Sequence, residues 1–247
     1  MEALHNIWTV TKREWRSYFD SPVAYVFLVI FLGLAGFFTF SVSQFYEAGR
    51  ADLRGFFVWH PWLYLVLVPA VAMRLWAEER RSGTLELLLT LPVTPLQAIL
   101  GKFLAAWGFI ILALALTFPM PATALYLGRP DLGVICSGYL GSVLLAGAYI
   151  ALGMMTSALT RNQVVSFILA VVGGLFLILA GFPPVTDLLV RWAPAWLVES
   201  VAAFSFMTHF ESLQRGILDL RDFFYFFSFM AFMIFCTQAV LQGRAAK

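Results

Sequence analysis

The sequence predicts an all-α polytopic membrane protein with six transmembrane helices behind an N-terminal interfacial helix. Three observations carry this. Apolar runs of about 20 residues recur along the chain, the length an α-helix rising ~1.5 Å per residue needs to cross ~30 Å of hydrocarbon. Of 247 residues, 61% are hydrophobic and 12% charged, whereas a soluble domain carries about 25% charged residues to cover its exterior. The charges also gather between the apolar runs rather than inside them.

Residues 1–20 read as an amphipathic helix in the membrane surface. Leu4, Trp8, Trp15 and Phe19 recur at helical spacing, and Lys12, Arg13 and Arg16 supply a basic face. These residues lack the apolar core and small-residue cleavage site of a signal peptide. Ser21-Pro22 opens the first span, about 22–44, because Pro suits a first turn whose N–H groups have no intrahelical partner. The second span, about 57–77, begins with the aromatic belt Trp59, His60, Pro61, Trp62, Tyr64. His60 is expected at the interface. Arg74 and Trp76 fall near the opposite end, where Arg can snorkel toward headgroups. A polar and amphipathic stretch, 78–95, follows.

Thr94-Pro95-Leu96-Gln97 is a capping-box pattern that starts the third span, about 97–127, with Pro119 and Pro121 expected to kink its outer part. Gly128-Arg129-Pro130-Asp131 is a tight turn into the fourth span, about 132–159, and Thr160-Arg161-Asn162-Gln163 leads to the fifth, about 163–181. The sixth covers about 222–242. The connection 182–221 is long and carries Pro183, Pro184 and Pro194. Its apolar part near 195–207 is too short to span and reads as an interfacial or re-entrant helix. The domain organisation is thus an interfacial helix, 1–20, and a six-span domain, 21–247.

With both termini cytoplasmic, ten of the 16 Lys and Arg residues lie inside: Lys12, Arg13, Arg16, Arg74, Arg80, Arg81, Lys102, Arg161, Arg244 and Lys247. Six lie outside: Arg50, Arg54, Arg129, Arg191, Arg215 and Arg221. The positive-inside rule favours this orientation.

The most informative stretch is 77–93. Glu78, Glu79, Arg80 and Arg81 crowd the cytoplasmic end of the second span, Ser82-Gly83 breaks the helix, and Gly83 lets the chain reverse. Thr84, Glu86 and Leu87 then begin a short Leu-rich helix, with Glu86 in the first turn where the helix dipole favours an acid. An amphipathic helix of this kind fits a groove on a cytoplasmic partner. On composition alone the commoner reading is a topology anchor followed by a packing helix.

Glu78-Glu79, Gly83-Thr84-Leu85-Glu86, Leu88 and Pro92-Val93 closely resemble the intracellular motif of ABC-2-type transporter permeases. The resemblance covers nearly the whole chain: Lys12-Arg13-Glu14, Asp20-Ser21-Pro22, Leu100-Gly101-Lys102 and Leu159-Thr160-Arg161-Asn162-Gln163 also look like that family. His209-Phe210-Glu211, Arg215-Gly216 and Asp219-Leu220-Arg221-Asp222 resemble a subgroup containing gliding-motility-type permeases and the copper-maturation permease of nitrous oxide reductase.

The resemblance implies a type V exporter-like permease fold and a half-transporter in the bacterial inner membrane. This chain would pair with a second permease subunit, identical or similar, and with two cytoplasmic ABC ATPases. It implies that Glu78, Glu79, Arg80, Arg81, Gly83, Thr84, Glu86 and Leu87 couple to the ATPase. The outer segment, with Trp196, His209, Glu211, Arg215, Asp219, Arg221 and Asp222, would face cargo or a periplasmic auxiliary protein. ATP and Mg would sit on the ATPase and no cofactor on this chain, which lacks the GxxxxGK[ST] phosphate loop. The expected partners include membrane lipids but no nucleic acid.

Other classes fit less well. No catalytic residue or metal set is evident, since His5, His60 and His209 are far apart and none stands in ligand spacing. No acidic or basic residue is placed at mid-depth of a span, which weighs against a proton relay or ion-coupled transporter. A second reading keeps the ATP-driven movement but delivers it to a periplasmic partner through 182–221, with no solute crossing.

Overall fold

The computed structural model describes residues 2–47, 49, 51–84 and 93–245, and every regular element among them is helical. The elements are α1 (Glu2–Phe19), α2 (Pro22–Phe37) with a π-helical extension Phe38–Val42, α3 (Arg54–Phe57), α4 (His60–Ala72) and α5 (Arg74–Ser82). Next come α6 (Pro95–Ala115), α7 (Pro119–Leu127), α8 (Leu132–Leu159) and α9 (Gln163–Leu179). The chain finishes with α10 (Pro183–Val190), α11 (Ala195–Ala203), α12 (Phe206–Gln214) and α13 (Leu220–Ala245).

Five helical stretches are long and apolar enough to cross a membrane: Pro22–Val42, Arg54–Ser82, Pro95–Leu127, Leu132–Leu159 and Leu220–Gly243. A sixth arises if α9 and α10, bent by 65° at their junction, count as one. The fold is that of an all-α polytopic membrane protein.

Local side chains explain where these helices begin. Ser21 Oγ accepts from Val23 N–H ahead of Pro22, and Asn162 Oδ1 from Val164 N–H. Thr94 and Gln97 form a reciprocal capping box, and Asp131 caps α8 through Gly133 and Val134 N–H. Each satisfies amide groups that the first turn leaves orphaned. The third span is interrupted at 116–118, where Thr117 Oγ1 donates back to Leu114 O and Pro119 starts α7.

α8 is the centre of the bundle, packing against α4, α5, α6, α9, α12 and α13. Of its membrane-spanning window 72% is buried, against 28% for α2 and 22% for α13. The peripheral helices therefore keep an apolar outer face, which lipid tails solvate as well as protein does.

His60, expected at the interface, is enclosed by protein. It is fully buried, edge-on to Phe56 at 4.5 Å, with Nδ1 3.1 Å from Ser142 Oγ. The reason is that the helical stretch begins at Arg54, so Phe56 and Phe57 fold over the ring. Trp76, near the other end of the stretch, is likewise buried.

Candidate functional site

The stretch singled out in the sequence lies at the end of the bundle that holds α1. Residues 78–82 are the last turn and a half of α5, and Gly83 closes the helix in the left-handed region (φ 73°), its N–H bonding to Glu79 O. Only a residue without Cβ takes that conformation without strain. Ser82 Oγ donates to Glu78 O and Thr84 Oγ1 to Glu79 O, tightening the same turn. Glu86 and Leu87, with the rest of 85–92 in the expected 78–95 helix, lie outside the described residues.

The helix divides the four charges between two directions. Glu78 and Arg81 are exposed, as are Ser82, Gly83 and Thr84. Glu79 and Arg80 turn inward. Glu79 Oε1 lies 2.8 Å from Lys102 Nζ on α6, and that ammonium also lies 3.1 Å from Glu14 Oε1 on α1. Lys102 is 3% exposed and sits 5.4 Å from the centre of the Trp76 ring. One buried ammonium thus joins three elements, α1, α5 and α6. A buried Lys is tolerated only when it is paired, and here it has two carboxylates and an aromatic face.

Burial pushes the Glu14 carboxyl up, but attraction to Lys102 and hydrogen bonds from Arg13 and Lys102 outweigh it. The net result lies below the ordinary carboxylate value. Glu14 is therefore charged at neutral pH. α1 reaches this cluster because two glycines of α6 make room for it. A Cβ on Gly101 would lie 2.6 Å from Val10 Cγ1, and one on Gly108 would lie 2.7 Å from Trp15 Cζ3.

Arg80 binds differently. Its Nη1 donates to Ala158 O at 2.7 Å, placing a cation on the last turn of α8 where carbonyls lack intrahelical donors. One turn deeper, Ser157 of α8 enters the hydrogen-bond ladder between α4 and α5. Its Oγ accepts from Trp76 N–H and Ala77 N–H, both at 3.0 Å, and donates to Met73 O at 2.7 Å. An inserted side chain is a recognised cause of a helix break. Close approach is possible because Gly153 faces Ala72, where a Cβ would stand 2.6 Å from that residue's Cβ.

The second group of candidates lies at the opposite end and does not form one constellation. His209 Nδ1 meets Asp222 Oδ1 at 2.6 Å, Ser212 donates to the same carboxylate, and Tyr225 stacks on the His209 ring at 3.9 Å. Both His209 and Asp222 are buried, so they clamp α12 to α13. Glu211 and Arg215 form an exposed ion pair beside a cleft of about 480 Å³ that Arg54, Val58, Phe182 and Met207 also line. Trp196, Asp219 and Arg221 are exposed and join neither set. Among the described residues no group of three His, Cys, Asp or Glu side chains could hold a metal ion.

The sequence reading missed Glu14, Trp76 and Ser157 as parts of the first site, and it placed Lys102 without partners. The signal available for Lys102 was a lone ammonium seven residues inside an apolar helix.

The family model described as ABC-2 family transporter protein matches residues 8–246. The chain belongs to the ABC-2 transporter family. No curated protein matches it. As an ABC-2 protein it is a membrane permease component of an ABC transporter, a transport element rather than a catalyst. The α5 terminus of this ABC-2 chain therefore combines an exposed face, Glu78 and Arg81 to Thr84, with an inner face bonded to α1, α6 and α8.

Proposed function

We propose that this chain is the permease half of an ATP-driven exporter in a bacterial inner membrane. It pairs with a second permease and two separate cytoplasmic ATPases, and both its termini are cytoplasmic. The exposed turn at Glu78, Arg81, Gly83 and Thr84, continued by Glu86 and Leu87, receives the ATPase. The observation that carries this reading is the opposed bonding of α5. Its outward residues are free to meet a partner, while Glu79 and Arg80 tie the same turn to α6, α1 and α8. A push on the turn then moves helices rather than a loop. ATP and Mg belong to the ATPase.

The test is co-purification with the ATPase and ATP-dependent transport. Gly83→Pro removes the αL cap and Glu86→Lys reverses the charge of the contact. Each is expected to uncouple hydrolysis from transport or to release the ATPase. Retention of both properties in both variants overturns the assignment.

A second reading draws support from the far segment. Trp192 and Trp196 are 87% and 66% exposed, and no residue of α10 is buried. In that reading the permease is of the gliding-motility type, and α10 to α12 pass force to a periplasmic auxiliary protein without moving a solute. A reconstituted complex that transports nothing, yet loses such a partner when 195–215 is altered, favours it. Transport by the reconstituted complex excludes it.

A further inference from the structure

Two hollows meet at the α1 end of the bundle. One is a polar cleft of about 490 Å³ between α1, α5 and α6. The other is an apolar groove of about 170 Å³ between α2 and α4, lined by Val23, Ala24, Phe27, Ile30, Leu67 and Val71 among others. Tyr18 and Arg74 line both, so groove and cleft join at these two side chains.

The charges of the cleft do not all find partners inside the protein. Arg13, Arg74 and Lys102 face Glu14, Glu78 and Glu79. Lys102 is taken by Glu14 and Glu79, and Arg13 by Glu14. Arg74 makes no hydrogen bond or ion pair with the described residues, and neither does the exposed Glu78 carboxylate. The Tyr18 hydroxyl and Glu79 Oε2 are buried without a hydrogen-bond partner. Burial, and then the Glu14 charge, hold the Tyr18 phenol protonated, so it is a donor in want of an acceptor.

The unmet groups of the cleft are thus of both kinds: a cation and a donor, and two carboxylate acceptors. A simple anion would satisfy Arg74 and Tyr18 but be repelled by Glu78. A simple cation would leave Arg74 and Tyr18 unmet. A head group with a phosphate and a primary ammonium satisfies all four, and the ammonium supplies N–H donors that a quaternary head lacks. The groove that starts at the same two residues has the apolar lining a hydrocarbon chain requires.

We propose that the joined hollow binds one phosphoethanolamine-headed glycerophospholipid. Its phosphate rests on Arg74 and Tyr18, its ammonium faces Glu78 and Glu79, and one acyl chain lies between α2 and α4. The lipid would bridge α1, α2, α4 and α5, four elements of which α1 and α2 are otherwise the least enclosed by protein.

The full-length protein, purified in detergent, is titrated with dioleoyl phosphatidylethanolamine, phosphatidylcholine or phosphatidylglycerol. Binding is read by native mass spectrometry and by the unfolding temperature. The ethanolamine lipid is expected to bind about tenfold more tightly than the other two, as loss of one charge-assisted contact implies. Glu78→Gln, which removes an ammonium contact, erases that preference, whereas Arg74→Gln, which removes the phosphate contact, and Ala70→Trp, which fills the groove, weaken the binding of all three lipids. Soluble glycerophosphoethanolamine, without chains, gives no shift. Equal binding of the three lipids overturns the proposal, as does a preference that survives Glu78→Gln, ethanolamine-lipid binding undiminished by Arg74→Gln and Ala70→Trp, or a shift with the soluble head group alone. Should Arg74→Gln fail to fold, the lipid series on the unaltered protein and Ala70→Trp still decide.

Discussion

Lys102 Nζ and Glu79 Oε1, 2.8 Å apart, connect the third span to the last turn of the second. The Glu14 carboxylate on the other side of the ammonium extends the link to α1. Removing one member of a buried charge set leaves its partners uncompensated, which costs about 3–5 kcal/mol. Lys102→Met is therefore expected to lower the unfolding temperature sharply, read by tryptophan fluorescence in detergent. The neutral triple variant Glu14→Gln, Glu79→Gln, Lys102→Met recovers most of the loss, because it removes the buried charges together.

Glu14 gives the link a pH limit. Its pKa in the folded protein lies below the ordinary value, so its contribution is complete above the ordinary carboxylate range. It disappears as pH falls through the depressed value. The unfolding temperature of the native chain should exceed that of Glu14→Gln at neutral pH. The two curves should converge as the pH drops below the carboxylate range. A gap that persists in acid contradicts the assignment.

Ser157 supplies three hydrogen bonds to the α4–α5 break. Ser157→Ala leaves one carbonyl and two amides to find other partners, a loss of about 1–3 kcal/mol. The helix can recover part of it by closing its own ladder and straightening. The measurement is the distance between spin labels at Val66 and Ser82, which should lengthen in Ser157→Ala and stay unchanged in Ser157→Thr, where the hydroxyl is kept.

Gly101→Leu tests the seat of α1. The added side chain meets Val10 where even a Cβ would be 2.6 Å from Cγ1, and overpacking of this kind costs about 1–3 kcal/mol. α1 should lift off, exposing the 2–19 segment to protease several times faster than in the native chain. The paired change Gly101→Ala with Val10→Ala is expected to restore protection.

Much of the fold was legible because its signals are local. Ser21, Thr94, Asp131 and Asn162 each mark a helix start, since a cap involves residues two or three apart. The candidate site was legible only as a segment. Which of Glu78, Glu79, Arg80 and Arg81 turn inward depends on the rotation of α5 against α6 and α8, set by contacts made about 80 residues away in sequence, such as Arg80 to Ala158. Ser157 sits in a run of small residues and differs from Thr156 only in what faces it. The enclosure of His60 was hidden for the same reason: an aromatic belt and a buried aromatic cluster have the same composition.

The position of Ser157 has a consequence for motion. α8 has 28 residues and, at ~1.5 Å per residue, is about 42 Å long. Its fastening to α5 lies within three residues of one end. A rod held there acts as a lever with a very short near arm. A tilt of about 5° about Ser157 carries the Asp131 end, ~39 Å away, roughly 3 Å sideways. It takes with it the α12 and α13 faces packed along the shaft. Under the proposed function, a small stroke at the charged turn would become a displacement several times larger at the far end of the helix.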